Sequence, residues 1–258
     1  MNLLCLDAGN TRLKWGLHDG QRWLLQAAMP YAQLETFVLP APADRLIACN
    51  VAGAVVARQI EAFARALDIP LTWFCSTPSA GDVRNGYENP AQLGADRWAA
   101  LIGARARHGG AAVVVMAGTA TTIDVLDAEG QFRGGLILPG LDLMQRALHL
   151  NTAALPAARG TYRNLPRNTD DAIVSGAIHA TLGAIERMAA VAGEHAHCLL
   201  SGGNASQLAD PLTNQLATQP TLPFECVDNL VLEGLVRWYR RVEIPGLTNP
   251  AAGSFPDR

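Results

Sequence analysis

Two glycine-containing turns hold the residues whose types and spacing best suit phosphate chemistry. Residues 3–6 form an apolar run that ends in residues 7–11, Asp-Ala-Gly-Asn-Thr, and residues 112–117 form another that ends in residues 118–121, Gly-Thr-Ala-Thr. A glycine turn lets backbone N–H groups approach an anion closely, because no side chain intervenes. Each turn also carries hydroxyl or amide side chains. Both turns are therefore candidate phosphate-binding sites.

Asp7 and Lys14 place opposite charges on either side of the first turn. If the chain is extended after the turn, Asn10, Arg12 and Lys14 share one face, which directs Lys14 toward the phosphates. A carboxylate beside phosphates needs a cation between them, and Mg²⁺ with several retained waters suits Asp7. The alternative is an ordinary hairpin, since Asp, Gly and Asn are favoured turn residues.

Asp96 and Arg97 form a third candidate group. Phosphoryl transfer needs alignment, charge neutralisation and an acceptor for the hydroxyl proton, and a carboxylate such as Asp96 serves as that acceptor. Arg97 is suited to bidentate binding of an anionic substrate. Leu93, Trp98 and Leu101 predict a buried amphipathic helix here. The alternative is a surface Asp–Arg pair on that helix.

Two other polar segments are weaker candidates. Residues 201–204, Ser-Gly-Gly-Asn, follow an apolar run, so they could admit an adenine or ribose or simply cap a helix. His195, His197 and Cys198 resemble metal ligands, but their spacing matches no standard zinc pattern. We therefore expect no metal at the second segment.

Composition narrows the class of protein. The 258 residues are 49% hydrophobic, which is enough for one large core or two modest ones. The net charge of −3 and the lack of a basic stripe argue against nucleic acid as a partner. The apolar runs near the start and near residue 111 are too short for a signal peptide or a membrane span. Five scattered cysteines indicate reduced thiols and a cytoplasmic protein.

Strands and helices alternate along the chain, which predicts an α/β protein. The predicted strands cover residues 3–6, 13–17, 22–28, 45–51, 71–75, 112–117, 122–126, 133–138 and 197–200. The predicted helices cover residues 55–67, 90–102, 141–150, 170–192 and 230–241.

The two halves of the sequence resemble each other, because Gly9 and Gly118 occupy similar turns and Gly20-Gln21 recurs as Gly130-Gln131. This pattern predicts duplicated domains at residues 1–109 and 110–258, with a loose tail from about residue 245. In that interpretation the two turns face each other across an active-site cleft and grip one nucleotide. The alternative is two unrelated hairpins with glycine turns.

Eight segments, in this order, resemble the type III pantothenate kinases of the actin-like ATPase superfold, which includes acetate kinase, sugar kinases and Hsp70. They are residues 7–14, 87–90 leading into 94–97, 118–124, 134–140, 152–156, 168–169, 175–176 and 201–203. The resemblance implies two actin-like (ribonuclease H-like) domains, each a mixed sheet flanked by helices. It also implies ATP-dependent phosphorylation of pantothenate, the first step of coenzyme A biosynthesis.

The resemblance assigns roles residue by residue. It implies that Asp96 is the general base, that Asp7 binds Mg²⁺ through water, and that Arg97 pairs with the pantothenate carboxylate. It implies a homodimer, because Thr169 comes from the other subunit in this family. The implied ATP-binding residues are Asp7, Ala8, Gly9, Asn10, Thr11, Arg12, Leu13, Lys14 and Thr119. The implied pantothenate-binding residues are Tyr87, Gly94, Ala95, Asp96, Arg97 and Thr169.

Met116 departs from the family pattern. Many relatives have an Asp two residues before the second turn's glycine, where it ligates a monovalent cation such as K⁺ or NH₄⁺. A thioether cannot replace a carboxylate as a hard-cation ligand, so dependence on that cation becomes doubtful. Two other functions stay open: a kinase of another small hydroxy acid or sugar, and a non-catalytic relative that acts as an accessory factor in gene regulation.

Overall fold

The computed structural model describes residues 1–153, 155–157, 159–218 and 222–242. It divides into two compact units: unit 1 contains Met1–Arg107 and the helix Leu230–Val242, and unit 2 contains His108–Asn229. The predicted loose tail, from about residue 245, lies outside the described residues. Within the described part of the chain, no helix combines the length and apolarity needed to cross a membrane.

Unit 1 is built on a five-stranded sheet. Its strands are β1 (Leu3–Ala8), β2 (Leu13–His18), β3 (Trp23–Met29), β4 (Arg45–Asn50) and β5 (Leu71–Trp73), in the spatial order β3-β2-β1-β4-β5. The pairs β1–β2 and β2–β3 are antiparallel, whereas β1–β4 and β4–β5 are parallel. A small hairpin, β6 (Ser79–Ala80) with β7 (Val83–Arg84), lies outside this sheet.

The helices of unit 1 pack around this sheet. A 3-10 helix covers Tyr31–Thr36, α1 covers Ala54–Ala66, a second 3-10 helix covers Pro90–Gln92, and α2 covers Ala95–Arg107. One apolar core joins β1, β2 and β4 to α1 through residues such as Leu4, Leu46 and Ile60. Every residue of β1 is buried, which matches its apolar sequence up to Asp7.

Unit 2 repeats the architecture of unit 1. Its strands are β8 (Ala112–Ala117), β9 (Ala120–Leu126), β10 (Phe132–Pro139), β11 (His197–Ser201) and β12 (Phe224–Cys226), in the order β10-β9-β8-β11-β12. The outer pairs β10–β9 and β9–β8 are antiparallel, and β8–β11 and β11–β12 are parallel. The strand order and the strand directions are the same in both units, so the predicted duplication is confirmed. The alternative of two unrelated hairpins is wrong.

Three helices complete unit 2: α3 (Leu141–Asn151), α4 (Thr169–Ala192) and α5 (Ala205–Thr218). The core of this unit lies between the sheet and α4, where Val115, Ile123, Ile178 and Ile185 are buried together. The sequence pattern expected a helix after residues 201–204 without giving its bounds, and it missed β12.

The final helix, α6 (Leu230–Val242), belongs to unit 1 although the sequence pattern placed it in a domain of residues 110–258. It packs against α2 and β1, and two glycines make this possible. A Cβ at Gly234 would collide with the backbone carbonyl of Ala99, and one at Gly103 would collide with that of Leu230. The end of the chain therefore returns to unit 1, so the predicted domain boundaries at residues 1–109 and 110–258 differ from the two units of the structure.

The start of α2 also differs from the helix predicted from the sequence. The predicted helix ran from Pro90 to Ile102, but the structure has a 3-10 turn at Pro90–Gln92, a break at Leu93 and Gly94, and a helix that begins at Ala95. The break places Asp96 in the first turn of α2, where the backbone N–H groups are not used within the helix.

We predict that Gly234→Ala lowers the free energy of unfolding by about 1–3 kcal/mol, because the added methyl group has no room against Ala99 in α2. Gly183→Ala in α4 is the matched control, since a Cβ there meets nothing within 4 Å. Alanine is the better helix former, so the control should be neutral or slightly stabilised. Thermal melts of the two variants test this. Equal melting temperatures would contradict the proposed close packing of α6 on α2.

Candidate active site

The β1–β2 hairpin of unit 1 brings Asp7 and Lys14 together. The two residues are direct partners in the antiparallel register, and the turn between the strands spans residues 9–12. Asp7 is only 6% exposed because β1 is covered on both faces, whereas Asn10, Thr11 and Arg12 of the turn are exposed. The hairpin thus presents polar turn residues outward and keeps one carboxylate inside.

Burial raises the pKa of Asp7 to about 6, since a buried carboxylate loses the water that favours its charged form. That value already includes smaller opposing effects: the Lys14 charge and a hydrogen bond from Cys49 lower the pKa, and the charge of Asp96 raises it. Cys49 is the register partner of Asp7 on the parallel strand β4, and its Sγ donates to Asp7 Oδ1 at 3.5 Å. Asp7 is therefore held by groups on both neighbouring strands.

The carbonyl groups at the start of the turn are also held. The Ala8 carbonyl accepts from the Val51 N–H at 3.0 Å, and the Gly9 carbonyl accepts from the Tyr31 hydroxyl at 2.5 Å. Burial raises the pKa of Tyr31, and the nearby Asp7 charge raises it further. The hydroxyl therefore stays protonated and donates this bond.

Asp96 lies in the first turn of α2, after a glycine that the geometry requires. The Gly94 carbonyl accepts the first helical bond, from the Trp98 N–H at 2.9 Å, and Asp96 Oδ1 accepts from the Arg97 N–H at 2.8 Å. A Cβ at Gly94 would lie 2.7 Å from Asp96 Oδ1, so a larger residue would displace the carboxylate. A negative charge is favoured at a helix N-terminus.

The pKa of Asp96 is raised, and burial is the largest cause. The hydrogen bond from the Arg97 backbone, the Arg97 guanidinium and Lys14 oppose this shift. Asp7, Lys14 and Asp96 are therefore near enough to influence one another's charge. The alternative of a surface Asp–Arg pair is wrong, because Arg97 is buried and Asp96 is partly buried.

The guanidinium of Arg97 is fixed beside Asp96 by Tyr87. Arg97 Nη1 donates to the Tyr87 hydroxyl at 2.8 Å, and the guanidinium carbon lies 5.6 Å from the centre of the Tyr87 ring. Asn85 fixes the Tyr87 backbone in turn, because its Oδ1 accepts from the Tyr87 N–H at 3.1 Å. Arg97 is only 5% exposed, and a buried cation of this kind favours an anionic partner.

The remaining predicted site residues lie in unit 2. Thr119 forms the exposed turn between β8 and β9, and its carbonyl accepts from the Gly140 N–H at 2.9 Å. Thr169 is exposed at the start of α4, directly after Asn168, whose side chain caps that helix. Residues 201–204 end β11 and lead into α5, and the Asn204 N–H donates to the Ala117 carbonyl at 2.9 Å.

Sequence reasoning missed two residues of unit 1, Cys49 and Tyr31. Cys49 had a usable signal, since the carboxyl ends of parallel strands meet at one edge of a sheet and Cys49 lies near the end of a predicted strand. Tyr31 had none. It lies in a 3-10 helix that no periodic pattern marks, and only the fold brings it to Gly9.

Comparison with known proteins identifies the family. The model of the type III pantothenate kinase family matches residues 3–191. A type III pantothenate kinase of Aromatoleum aromaticum is 52% identical and covers 90% of this chain and 96% of its own length. One from Dechloromonas aromatica is 46% identical over 90% of this chain and 99% of its own. This chain belongs to the type III pantothenate kinase family.

Solved structures agree with this fold. A Campylobacter jejuni protein provisionally described as a Baf family transcriptional activator has a TM-score of 0.63 at 19% identity, covering 92% of this chain and 98% of its own. A Sinorhizobium meliloti protein provisionally described as a 2-dehydro-3-deoxygalactonokinase has a TM-score of 0.59 at 15% identity, covering 94% and 99%. Identities this low show the fold alone. The predicted actin-like superfold of type III pantothenate kinases is confirmed.

We predict that Asp7→Asn raises the melting temperature of the protein at pH 7.5 in the absence of metal and nucleotide. The folded-state pKa of about 6 lies above the ordinary 3.8, so the folded chain loses stability as the pH rises through this interval. A neutral amide of the same shape avoids that cost, which we expect to be about 1–3 kcal/mol.

A measurement at lower pH is the control for this prediction. At pH 4.5 most of the Asp7 carboxyl is protonated in the folded state, so the difference between wild type and Asp7→Asn should shrink. Melting curves at both pH values measure it. A variant that is less stable than wild type at pH 7.5 would contradict the buried, destabilising charge.

Proposed function

We propose that Asp96, Asp7 and Lys14 perform the reaction of this family in this chain, which is an ATP-dependent pantothenate kinase. The reaction transfers a phosphoryl group from ATP to the hydroxyl of pantothenate, the first step of coenzyme A biosynthesis. The observation that carries the assignment is the partly buried carboxylate of Asp96, fixed by the Arg97 N–H in the first turn of α2, with its raised pKa.

Asp96 is proposed as the general base. Its hydrogen bond from the Arg97 N–H fixes the orientation of the carboxylate, and its raised pKa makes it a stronger base toward an alcohol than an exposed carboxylate. The proton of the pantothenate hydroxyl moves to this carboxylate as the oxygen attacks the γ-phosphorus, the bond from that phosphorus to the β–γ bridging oxygen breaks, and ADP leaves. Lys14 influences the charge of the same carboxylate and supplies a cation for the transferring group.

The β1–β2 hairpin is proposed to bind ATP through residues 7–14. Its exposed turn supplies backbone N–H groups and polar side chains, and Lys14 follows on the strand itself. Asp7 fits Mg²⁺, because its carboxylate near the end of β1 supplies the anionic oxygen that a hard cation prefers, and the turn beside it is exposed, so the ion would keep several of its waters. A bound Mg²⁺ supplies charge neutralisation between this carboxylate and the phosphates. Thr119 is proposed as a further ATP contact.

Arg97 is proposed to bind the carboxylate of pantothenate, since it is a buried guanidinium held in place by Tyr87. Tyr87, Gly94 and Ala95 lie at the same end of α2 and are proposed to line that pocket. Thr169 of a second subunit is proposed to line the same pocket.

A homodimer is proposed because unit 2 exposes apolar side chains that a lone chain leaves in water. Ile137 on the edge strand β10 is 65% exposed, and Leu150 on α3 is 76% exposed. An exposed edge strand with apolar side chains is a pairing surface. We also expect a cytoplasmic location, since all five cysteines are free thiols.

Neither alternative function has comparable support. A kinase for another small hydroxy acid or a sugar shares the superfold, but the family match spans most of the chain. A regulatory, non-catalytic role has a structural neighbour, the Campylobacter protein, whose 19% identity carries the fold and no function.

We predict that Asp96→Asn lowers kcat about 100-fold or more, because the amide cannot accept the hydroxyl proton. Binding of a non-hydrolysable ATP analogue should change little, since the β1–β2 hairpin is untouched. Phosphopantothenate formation measured by mass, together with calorimetry, tests this. Wild-type turnover in Asp96→Asn would show that another group is the base.

We predict weak or no activation by K⁺ or NH₄⁺. Met116 lies opposite Thr122 on β9 and beside Ser201 on β11. Thr122 Oγ1 is buried and, among the described residues, has no hydrogen-bond partner, so its hydroxyl oxygen remains beside a thioether that cannot bind a hard cation well. Rates in potassium and in tris-only buffer should agree within about twofold. Met116→Asp should gain potassium activation, and strong activation of the wild type would contradict the prediction.

Subunit complementation tests the proposed role of Thr169. Asp96→Asn and Thr169→Ala chains should each be weakly active alone. If Thr169 serves the partner's site, an equal mixture of the two forms mixed dimers with one intact site, giving about a quarter of wild-type activity. Co-expression with separate tags and purification of the mixed dimer measures this, and the purified mixed dimer should have about half of wild-type activity. No gain over the separate variants would show that Thr169 acts within its own chain or not at all.

A further inference from the structure

We propose that Tyr31 is a positioning residue for ATP, which fixes the Gly9 peptide so that the β1–β2 turn presents its N–H groups in one arrangement. This proposal rests on the assignment of the turn to the ATP phosphates. The residue lies outside every segment that the sequence motifs mark, and its role follows from one contact in the fold.

The hydrogen bond is short, and neighbouring residues hold the Tyr31 side chain in place. The Tyr31 hydroxyl donates to the Gly9 carbonyl at 2.5 Å, at the short end of the range for O–H···O bonds. Tyr31 begins a 3-10 helix directly after Pro30, whose φ of −63° is fixed by its ring. The buried side chain of Leu34, 1% exposed, anchors that helix in the core of unit 1. The phenol therefore approaches the turn from a rigid base.

The geometry of the peptide links this contact to the phosphates. The bond between Gly9 and Asn10 is trans, since the described chain has no cis peptide, so its C=O and N–H point in opposite directions. With the carbonyl held by Tyr31, the Asn10 N–H is directed away from Tyr31, on an exposed turn residue. Glycine at position 9 gives this peptide freedom to rotate, and the hydroxyl removes that freedom.

A second contact on the preceding residue completes the restraint. The Ala8 carbonyl is held by the Val51 N–H at 3.0 Å, so two successive carbonyls of the turn are bonded to other parts of unit 1. Without the Tyr31 hydroxyl, the bond to the Ala8 carbonyl remains and the bond to the Gly9 carbonyl is lost. A turn ordered before ATP arrives loses less conformational entropy on binding, and this raises affinity without a direct contact.

The test compares three variants by calorimetry with the Mg²⁺ complex of a non-hydrolysable ATP analogue. Tyr31→Phe removes only the hydroxyl and should weaken binding about threefold to tenfold, the effect of one hydrogen bond. Lys14→Ala removes a proposed direct phosphate contact. Tyr162→Phe is the matched control, because its hydroxyl donates to Asn164 Oδ1 at 2.8 Å on the surface of unit 2. The control should bind as wild type.

Steady-state kinetics separate positioning from a general structural defect. Tyr31→Phe should raise the KM for ATP by a similar factor and leave the KM for pantothenate and kcat within about twofold, with a circular dichroism spectrum like that of wild type. A fall in kcat with unchanged ATP affinity would overturn the proposal.

The experiment distinguishes failure of the ATP-binding role of the turn from failure of the positioning role of Tyr31. If Lys14→Ala weakens nucleotide binding and Tyr31→Phe does not, the turn binds ATP but Tyr31 does not position it. If both variants bind the analogue as wild type does, the turn is not the ATP site, and the proposed function of the hairpin fails along with the role of Tyr31.

Discussion

Two carboxylates and one lysine lie close together in unit 1, and the fold must accommodate their charges. Asp7 sits in a strand that is buried along its whole length, with Asp96 near enough to raise its pKa. Burial and like charge both oppose ionisation, and Lys14 and the Cys49 thiol offset only part of that cost. Such an arrangement makes physical sense where a metal ion and an anionic substrate complete the charge balance.

The local structure around these groups follows from that constraint. The β1–β2 register sets Lys14 opposite Asp7, and the parallel pairing of β4 sets Cys49 on the other side. Gly94 ends the preceding segment so that Asp96 lies in the first turn of α2 without a clash. Close packing of α6 on α2, through Gly103 and Gly234, fixes the helix that carries Asp96 and Arg97.

The duplicated units share an architecture but differ in charge at the equivalent hairpin. In unit 1 the strand residue two positions before the turn glycine is Asp7, paired with Lys14. In unit 2 it is Met116, paired with Thr122. The backbone therefore repeats while the chemistry does not. Fold duplication alone would have predicted two similar sites, but Met116 and Thr122 carry no charge at the positions equivalent to Asp7 and Lys14.

Local patterns predicted much of the sheet but little of its surroundings. The strands near residues 3–6 and 112–117 follow from short apolar runs, and the duplication follows from recurring glycine turns. The return of α6 to unit 1 could not be predicted from periodicity, because an amphipathic helix does not show which core it joins. The break at Gly94 and the contact from Tyr31 to Gly9 also depend on packing between segments distant in sequence.

A crystal structure with pantothenate and a non-hydrolysable ATP analogue tests the central assignment most directly. The account predicts that a carboxylate oxygen of Asp96 lies about 2.6–3.2 Å from the hydroxyl that receives the phosphoryl group, with Asp7 on the metal side of the nucleotide. If that hydroxyl instead contacts another residue while Asp96 stays in its bond to the Arg97 backbone, out of reach of the substrate, the assignment of Asp96 as the base is wrong.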